Sequence, residues 1–482
     1  MATTKIKSSD GEQYTAPNTA LQKSGTFRDM LAFGGEESDY EVLTIDRINS
    51  KYLGPILRYL EKSIVPECKD NGEIFHLLVH CDYLCIPELF LNLCQKLVCN
   101  VAKENNLIGF EFPGLITEQK CHIPSCTSIV ARLKVCSKCC ATKYCSRDCQ
   151  EADWPLHKKA CNAIYAKIKK VRKLAGALEN ADFYGNGPAN LFEENVGHFW
   201  GIRETRDYCM ARANLAGLIS NLADVKKFSN IYEISLGHYM DLLRLIHGDN
   251  MGLRFIVPFI FLKLNRDEEC YNYIKWWLTI DPNGVYDWGN APESNPGDWL
   301  YLKDQDIFED HTQYLSEYSS LKFSVAFMCI KMRIIAKFKL MNLIEETVDA
   351  TISEEGLSLS PFSSDILPTS KNLLFHKTSS PHCTLEKQLE MLQSLLTIVN
   401  NDNKCFLPAV LNPDPLLSND PPSAISFGSP EEAYETLQSS LEIIKSIPGC
   451  MDAIKAVVGK NTDYDATFRT GPSNKVMRIL NN

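Results

Sequence analysis

The alternation of apolar and polar positions divides the chain into a short mixed stretch, a cysteine-rich insert and a long helical remainder. Residues 3–16 alternate around Asp10-Gly11, a pair that suits the backbone of a tight hairpin turn. A short helical stretch follows to about Leu31, then a strand at Tyr40–Ile45. From Asn49 to Lys62, Tyr52, Leu53, Ile56, Leu57 and Leu60 recur at helical spacing and mark one face for burial. Glu73–Leu84 and Pro87–Ala102 predict two more strongly apolar helices. Together these make a small α+β domain.

Beyond residue 162 the helical period dominates. Ala163–Leu174 predicts a basic helix. Its Lys169-Lys-Val-Arg-Lys173 has the form of a short nuclear import signal, or of an ordinary solvated face. Gly185-Asn-Gly187-Pro predicts a turn and lacks the third glycine and preceding strand of a dinucleotide loop. From Leu191 to Thr351 helix follows helix. Tyr232–Leu245, the turn Gly248-Asp-Asn, Met251–Leu264 and Arg266–Leu278 form the best-patterned segment. Trp276, Trp277, Trp288 and Trp299 read as anchors of this core and its loop, with a ligand-binding aromatic cage as the sharper alternative. Leu321–Ile344 is a long apolar helix carrying Lys331, Arg333, Lys337 and Lys339. It suits a scaffold helix with snorkelling cations or a membrane-surface helix. Residues 352–382, rich in Ser and Pro, predict a linker or long loop. Leu385–Val399, Glu431–Ile447 and Met451–Val458 are the closing helices, with a Pro/Ser-rich loop at Pro408–Pro430.

The insert carries the chemistry. Cys121, Cys126, Cys136, Cys139, Cys145, Cys149, His157 and Cys161 are paired at short spacings within 41 residues. Cys136-Ser-Lys-Cys139 is a knuckle that points two thiolates at one ion. Cys145 and Cys149 are four apart, as are His157 and Cys161, so each pair shares a helical face. Asp153 before Trp154-Pro155 reads as a helix N-cap. Four pairs make two tetrahedral zinc sites with no open position for substrate. Disulfides fit poorly, because no secretory signal is evident and other cysteines are scattered unpaired. Cys140 reads as a spare and His122 as a non-ligand. Seven thiolates and two zinc ions leave a charge of −3, which Lys134, Lys138, Lys143, Arg147, Lys158 and Lys159 offset.

The run Lys143-Tyr-Cys-Ser-Arg-Asp-Cys-Gln-Glu-Ala-Asp-Trp-Pro-Leu-His-Lys-Lys-Ala-Cys161 closely resembles the MYND zinc finger. The resemblance implies interleaved binding, with Cys121, Cys126, Cys145 and Cys149 on one zinc and Cys136, Cys139, His157 and Cys161 on the other. The first pair here is separated by four residues, where the commonest family form has two. MYND fingers bind proteins, several of them through proline-containing peptides. Gln150 and Trp154 match the residues lining that groove. Trp154 can equally be a core aromatic holding a small module together.

The N-terminal order resembles the BTB/POZ fold, in the flavour of the Skp-type adaptors of cullin ubiquitin ligases. The matching stretches are Lys5-Ile-Lys-Ser-Ser-Asp-Gly-Glu12, Phe27-Arg-Asp-Met-Leu31, Leu57–Glu61 and Leu77-Leu-Val-His-Cys-Asp-Tyr-Leu-Cys-Ile-Pro-Glu-Leu89. The likeness implies cullin contact at Asp82 and Tyr83, against the simpler reading that Tyr83 packs between helices. The helices that grip F-box proteins have no counterpart after Asn105. Leu236-Gly-His-Tyr239 and a unit length near 34 residues resemble a tetratricopeptide (TPR) helix pair.

These readings give a multidomain, mainly α fold: a Skp/BTB-POZ-like α+β domain over 1–107, a two-zinc MYND finger over 116–163, a helical TPR-like region over 164–351, a linker over 352–383 and a C-terminal helical segment over 384–482. A formal charge of −10 argues against bulk attraction to nucleic acid or acidic membranes. Nineteen cysteines fit a reducing compartment, cytoplasmic or nuclear, and no apolar run reaches the length of a membrane span. The paired motifs of a SET methyltransferase are missing, as are Walker, HExxH, GxSxG and Rossmann signatures. The expected function is a non-enzymatic, zinc-binding interaction adaptor with protein partners: a cullin or BTB partner at the N-terminal domain and a client at the finger. The alternatives are a methyltransferase-like enzyme and a nuclear corepressor-type scaffold.

Overall fold

The computed structural model describes residues 2–33, 42–105, 107, 121–123, 125–126, 133–179, 182, 190–281, 286, 288, 299–300, 302–316, 319–355, 363–375, 380–422 and 424–459. The chain divides into two compact units. One joins Met1–Leu115 to Ile334–Pro381, and the other joins Ile116–Arg333 to His382–Asn482. The Gly185-Asn-Gly187 turn and the start of the expected strand at Tyr40 lie outside the described residues.

In the first unit, β1 (Thr3–Ser8) and β2 (Gln13–Pro17) form the expected hairpin, with Lys5 opposite Thr15. Gly11 takes φ +94° at the turn, a region that suits glycine. Asp10 accepts from Ser8 Oγ, from Ser50 Oγ at 2.6 Å and from the Ser50 amide at 2.8 Å. These bonds hold its carboxyl at about 2 and tie the turn to the next helix. The crossover to β3 (Val42–Ile45), parallel to β1, carries α1 (Asn18–Leu21) and α2 (Gly25–Phe33). In α3 (Ser50–Lys62) the buried residues are the expected Tyr52, Leu53, Ile56, Leu57 and Leu60, joined by Tyr59. They pack with Ile6, Leu21, Phe27 and Ile45 into one core with α4 (Asn71–Tyr83) and α5 (Pro87–Glu104).

The second unit opens with the ribbon β4 (Lys134–Val135) and β5 (Lys143–Tyr144) and the helix α6 (Arg147–Leu178). The separate basic helix expected from Ala163 is therefore the second half of one 32-residue helix that begins inside the cysteine cluster. Ser146 caps it, its Oγ accepting from the Cys149 amide at 3.2 Å. Asp153 is thus an interior residue and not an N-cap, and Pro155 is accommodated within the helix.

After the single turn α7 (Leu191–Glu194), α8 (Arg206–Lys226) and α9 (Ser229–Leu245) pack closely. Buried Ser235 Oγ donates across that contact to the Ala216 carbonyl at 2.9 Å. The helix expected from Met251 starts late, as α10 (Val257–Lys263). The Asp249 carboxylate draws the amides of Leu253 and Arg254 into a turn, and Pro258 sits where a first helical turn lacks amide partners. In α11 (Asp267–Thr279), Trp276 is buried and meets the Trp277, Trp288 and Trp299 rings edge-on, which is the core-anchor arrangement.

Helix α12 (Leu321–Glu355) runs eleven residues past its expected end. Its cations do not snorkel at the positions that matter most. Arg333 is buried against Asp267 at 2.6 Å and donates to the Leu262 carbonyl. Lys331 is fully buried, and its ammonium meets the carbonyls of Ile307, Phe308 and Glu309 and the Gln388 Oε1 at 2.7–3.3 Å. Buried cations persist where acceptors surround them. Within the stretch expected as a linker, α13 (Ser363–Leu374) forms despite Pro368 and packs against α5 of the first unit. The second unit closes with α14 (Leu385–Asp402), α15 (Phe406–Leu411), α16 (Asp414–Leu417), α17 (Pro430–Ser446) and α18 (Cys450–Val458). Among the described residues no helix is long and apolar enough to cross a membrane.

Burial pushes the Lys331 ammonium down to about 7. Above that pH, and up to the ordinary lysine range, the unfolded chain binds a proton that the folded one has lost. Stability at this site therefore rises with pH across that window. The urea midpoint of the wild type is expected to gain on that of Lys331→Met between pH 7 and 10. A constant difference would show that the fold keeps the ammonium charged.

Candidate metal centre

The two-residue strands β4 and β5 pair antiparallel, Lys134 opposite Tyr144 and Val135 opposite Lys143. They hold the knuckle between them: the Cys136 amide donates to the Thr142 carbonyl at 2.8 Å, and the Cys140 amide to the Cys136 carbonyl at 2.9 Å. Cys140 takes φ +57° at this turn and stays exposed, its thiol directed at the Ser137 carbonyl. It is a turn residue and not a ligand. Helix α6 then presents Cys149, His157 and Cys161 from one side.

These elements bring all eight expected donors into two groups. Cys121, Cys126, Cys145 and Cys149 form one, and Cys136, Cys139, His157 and Cys161 form the other, with the ligand atoms of each within 4.8 Å of one another. In the first, Cys126 and Cys145 sulfurs are 3.6 Å apart, Cys145 and Cys149 3.4 Å, and Cys149 and Cys126 3.8 Å. In the second, Cys136 and Cys161 sulfurs are 3.8 Å apart, and His157 Nε2 stands 3.5 Å from Cys139 Sγ. Sulfurs around a tetrahedral zinc at about 2.3 Å lie about 3.8 Å from one another, so both donor sets fit the ion. The wider Cys121–Cys126 spacing is absorbed without losing either ligand. Without a cation beside them, the Cys145 sulfur pushes the Cys149 thiol up to about 12, and burial pushes Cys161 well up. Two zinc ions are the cofactors these sets would hold.

The surroundings fix the finger in ways that the ligand spacing does not reveal. His122 is buried and accepts the Lys143 amide on Nδ1 at 3.0 Å, while its own amide donates to the Lys143 carbonyl. Burial lowers its pKa to about 4, which keeps the ring neutral as an acceptor, and the ring stacks on Phe228 at 4.3 Å. Tyr144 donates to Asp153 Oδ2 at 2.6 Å, and Lys226 at the end of α8 pairs with Asp153 Oδ1. The Asp153 and Lys226 side chains are 5% and 10% exposed, so this ion pair is buried. Tyr144 and Asp153 stand within the motif. Their partner, 73 residues further on, has no signal in the pattern.

Gln150 and Trp154 lie one helical turn apart on α6, both half-buried. The Trp154 ring meets His157 edge-on at 6.2 Å and has Lys138 Nζ 5.9 Å from its centre, so it touches the zinc module and solvent at once. In the first unit, Asp82 and Tyr83 are half-buried neighbours in the last turn of α4. The Tyr83 carbonyl accepts from Thr26 Oγ1 at 2.8 Å, and Arg47 lies 5.5 Å from its ring centre.

With this geometry in hand, comparison with known proteins decides what the cysteine module is. Residues 121–161 match the MYND finger. Residues 2–65 match the Skp1 family, tetramerisation domain. Among curated relatives, the chain is similar to "SET domain-containing protein 14" of Caenorhabditis elegans, at 36% identity over 20% of this chain and 25% of that protein. It is also similar to "N-lysine methyltransferase SMYD2-A" of Xenopus laevis, at 42% identity over 10% of this chain and 11% of that protein, and to "SET domain and MYND-type zinc finger protein 6" of Schizosaccharomyces pombe, at 43% over 9% of each. The chain thus spans a quarter or less of the length of these relatives. No solved structure matches it.

Elemental analysis of the purified chain is expected to find two zinc ions. Cys149→Ser is expected to lower that number and to expose the finger to protease, since structural zinc contributes on the order of 10 kcal/mol per site to such modules. One zinc ion in the wild type would overturn the two-site assignment.

Proposed function

We propose that this chain is a non-catalytic adaptor in which zinc holds a peptide-binding groove and the POZ-like domain supplies attachment to a larger assembly. The closed donor sets carry the reading. All eight donors are consumed in two groups of four, which leaves zinc a structural task and no position for substrate. Gln150 and Trp154 line the groove, and a proline-containing client segment is its ligand. Asp82 and Tyr83, side by side at the end of α4, are the contact for a cullin-type ubiquitin ligase scaffold. The modules follow the boundaries 1–107 for the POZ-like domain and 116–163 for the finger, with the helical regions 164–351 and 384–482 as support. A reducing compartment, cytoplasmic or nuclear, suits a finger whose cysteines bind zinc as thiolates and not as disulfides.

The relatives' names suggest a second reading, lysine methylation. It is weaker, because the matches cover a fifth of this chain or less and the residues before the finger match a POZ-type domain. The corepressor-type scaffold is a variant of the first reading that uses the finger alone.

Affinity capture with mass spectrometry separates these readings. Trp154→Ala is expected to lose the clients and retain the assembly partner. Asp82→Arg with Tyr83→Lys is expected to lose a cullin and retain the clients. If the double variant keeps every wild-type partner, the cullin proposal has no basis. Tight binding of a labelled methyl donor to the wild type would favour the enzyme.

A further inference from the structure

The finger and its helix form a basic island in an acidic protein. Residues 121–178 carry twelve Lys and Arg against three carboxylates, in a chain of formal charge −10. The seven thiolates and two zinc ions would subtract only three from that surplus. The charges are also segregated along α6. Asp148, Glu151 and Asp153 all precede Trp154, and Arg147 is neutralised by Glu151 at 2.7 Å. From Trp154 to Leu178 the helix bears seven Lys and Arg and no Asp or Glu. An ordinary solvated helix intersperses the two signs at i,i+4 spacing, and this one does not.

Three of these cations share one face with two aromatic rings. Trp154, Lys158, Tyr165, Lys169 and Arg172 recur at steps of four, seven, four and three, the helical repeat. Lys158, Lys169 and Arg172 are exposed and make no ion pair among the described residues. The rings are partly covered by cations. Lys138, reaching over from the knuckle, donates to Asn162 Oδ1 at 2.7 Å and stands 5.9 Å from the Trp154 ring centre and 5.6 Å from that of Tyr165. Lys169 stands 5.0 Å from the Tyr165 ring. Zinc-bound finger and helix thus hold aromatic faces and ammonium groups in one line that starts at the groove tryptophan.

We propose that this stripe binds an acidic peptide segment, continuous with the residues that enter the groove at Trp154. The inference deepens the groove reading and rests on it for the anchoring end of the ligand. From Trp154 to Arg172 the stripe is about 27 Å long, at about 1.5 Å per helical residue. About eight residues of extended chain, at about 3.3 Å each, span that length. Carboxylates spaced along such a segment would meet Lys158, Lys169 and Arg172 in turn, with Lys138 between the rings. A nucleic acid would offer the same charge sign. Its long polyanionic backbone would also face the acidic remainder of the chain, whereas a short peptide stays within a Debye length, about 8 Å, of the stripe. A convex single-helix face also lacks the charged channel that tracks a nucleic-acid backbone.

The test uses the full zinc-loaded chain and fluorescence anisotropy with four labelled probes: a proline-containing core peptide with a hexaglutamate tail, the same core with a hexaglutamine tail, decaglutamate, and dodecathymidylate. The glutamate-tailed peptide is expected to bind about tenfold or more tighter than the glutamine-tailed one, and the gap is expected to close as salt rises. The surface variant Lys158→Glu/Lys169→Glu/Arg172→Glu is expected to erase that gap while keeping wild-type zinc content and glutamine-tail affinity. Trp154→Ala is expected to weaken both peptides equally. Equal affinity of the two peptides for the wild type would overturn the stripe and spare the groove. Binding of decaglutamate alone, lost in the triple variant, would spare the stripe and overturn the groove. No binding by any probe, or dodecathymidylate binding tighter than decaglutamate and lost in the triple variant, would overturn the acidic-peptide assignment.

Discussion

The buried Asp153 carboxylate is the point on which the second unit depends. It sits between the Tyr144 hydroxyl, from the zinc-bearing ribbon, and the Lys226 ammonium, from the end of α8. A carboxylate this deeply buried is stable only with such partners, and removing one of them from a buried pair typically costs about 3–5 kcal/mol. The arrangement therefore demands that ribbon, finger helix and scaffold be in register together. Asp153 also stands between two ligands on its own helix, Cys149 and His157. Zinc fixes the helix, the helix fixes the carboxylate, and the carboxylate fixes the scaffold. The stacking of His122 on Phe228 repeats the same link a short distance away.

That chain of constraint explains why α6 is one helix. Its first half is required by ligand geometry, since Cys149, His157 and Cys161 must share a side. Its second half is required by packing against α8. No stop signal separates the halves, so the zinc module ends within a rigid rod that continues into the scaffold. Gln150 and Trp154 are consequently displayed on a stiff support, the condition that the proposed peptide site would need to keep its shape.

Local signals made much of this legible. The hairpin at Asp10-Gly11, the buried face of α3 and the membership of both zinc clusters all follow from spacing or resemblance within a few tens of residues. What escaped depends on distant partners. Asp153 has the look of an N-cap when only its neighbours Trp154 and Pro155 are considered, and Lys226 is too far along the chain to alter that. Lys331 and Arg333 read as snorkelling cations because their acceptors lie on other elements: the carbonyls of 307–309 are 22 to 24 residues from Lys331, Gln388 is 57 residues from it, and Asp267 is 66 residues from Arg333. The helix at 363–374 escaped because serine and proline dominate its surroundings, whereas its contact with α5 bridges most of the sequence. Local propensity is a weak prior wherever tertiary partners decide.

The most direct test is hydrogen exchange, followed peptide by peptide, before and after zinc is removed with a chelator. If zinc, α6 and Asp153 act as one linked support, chelation raises exchange in the finger, along residues 162–178, and also in the last turns of α8 near Lys226. Protection in α8 that is unchanged while the finger opens would contradict the account, and would show the scaffold to be independent of the metal.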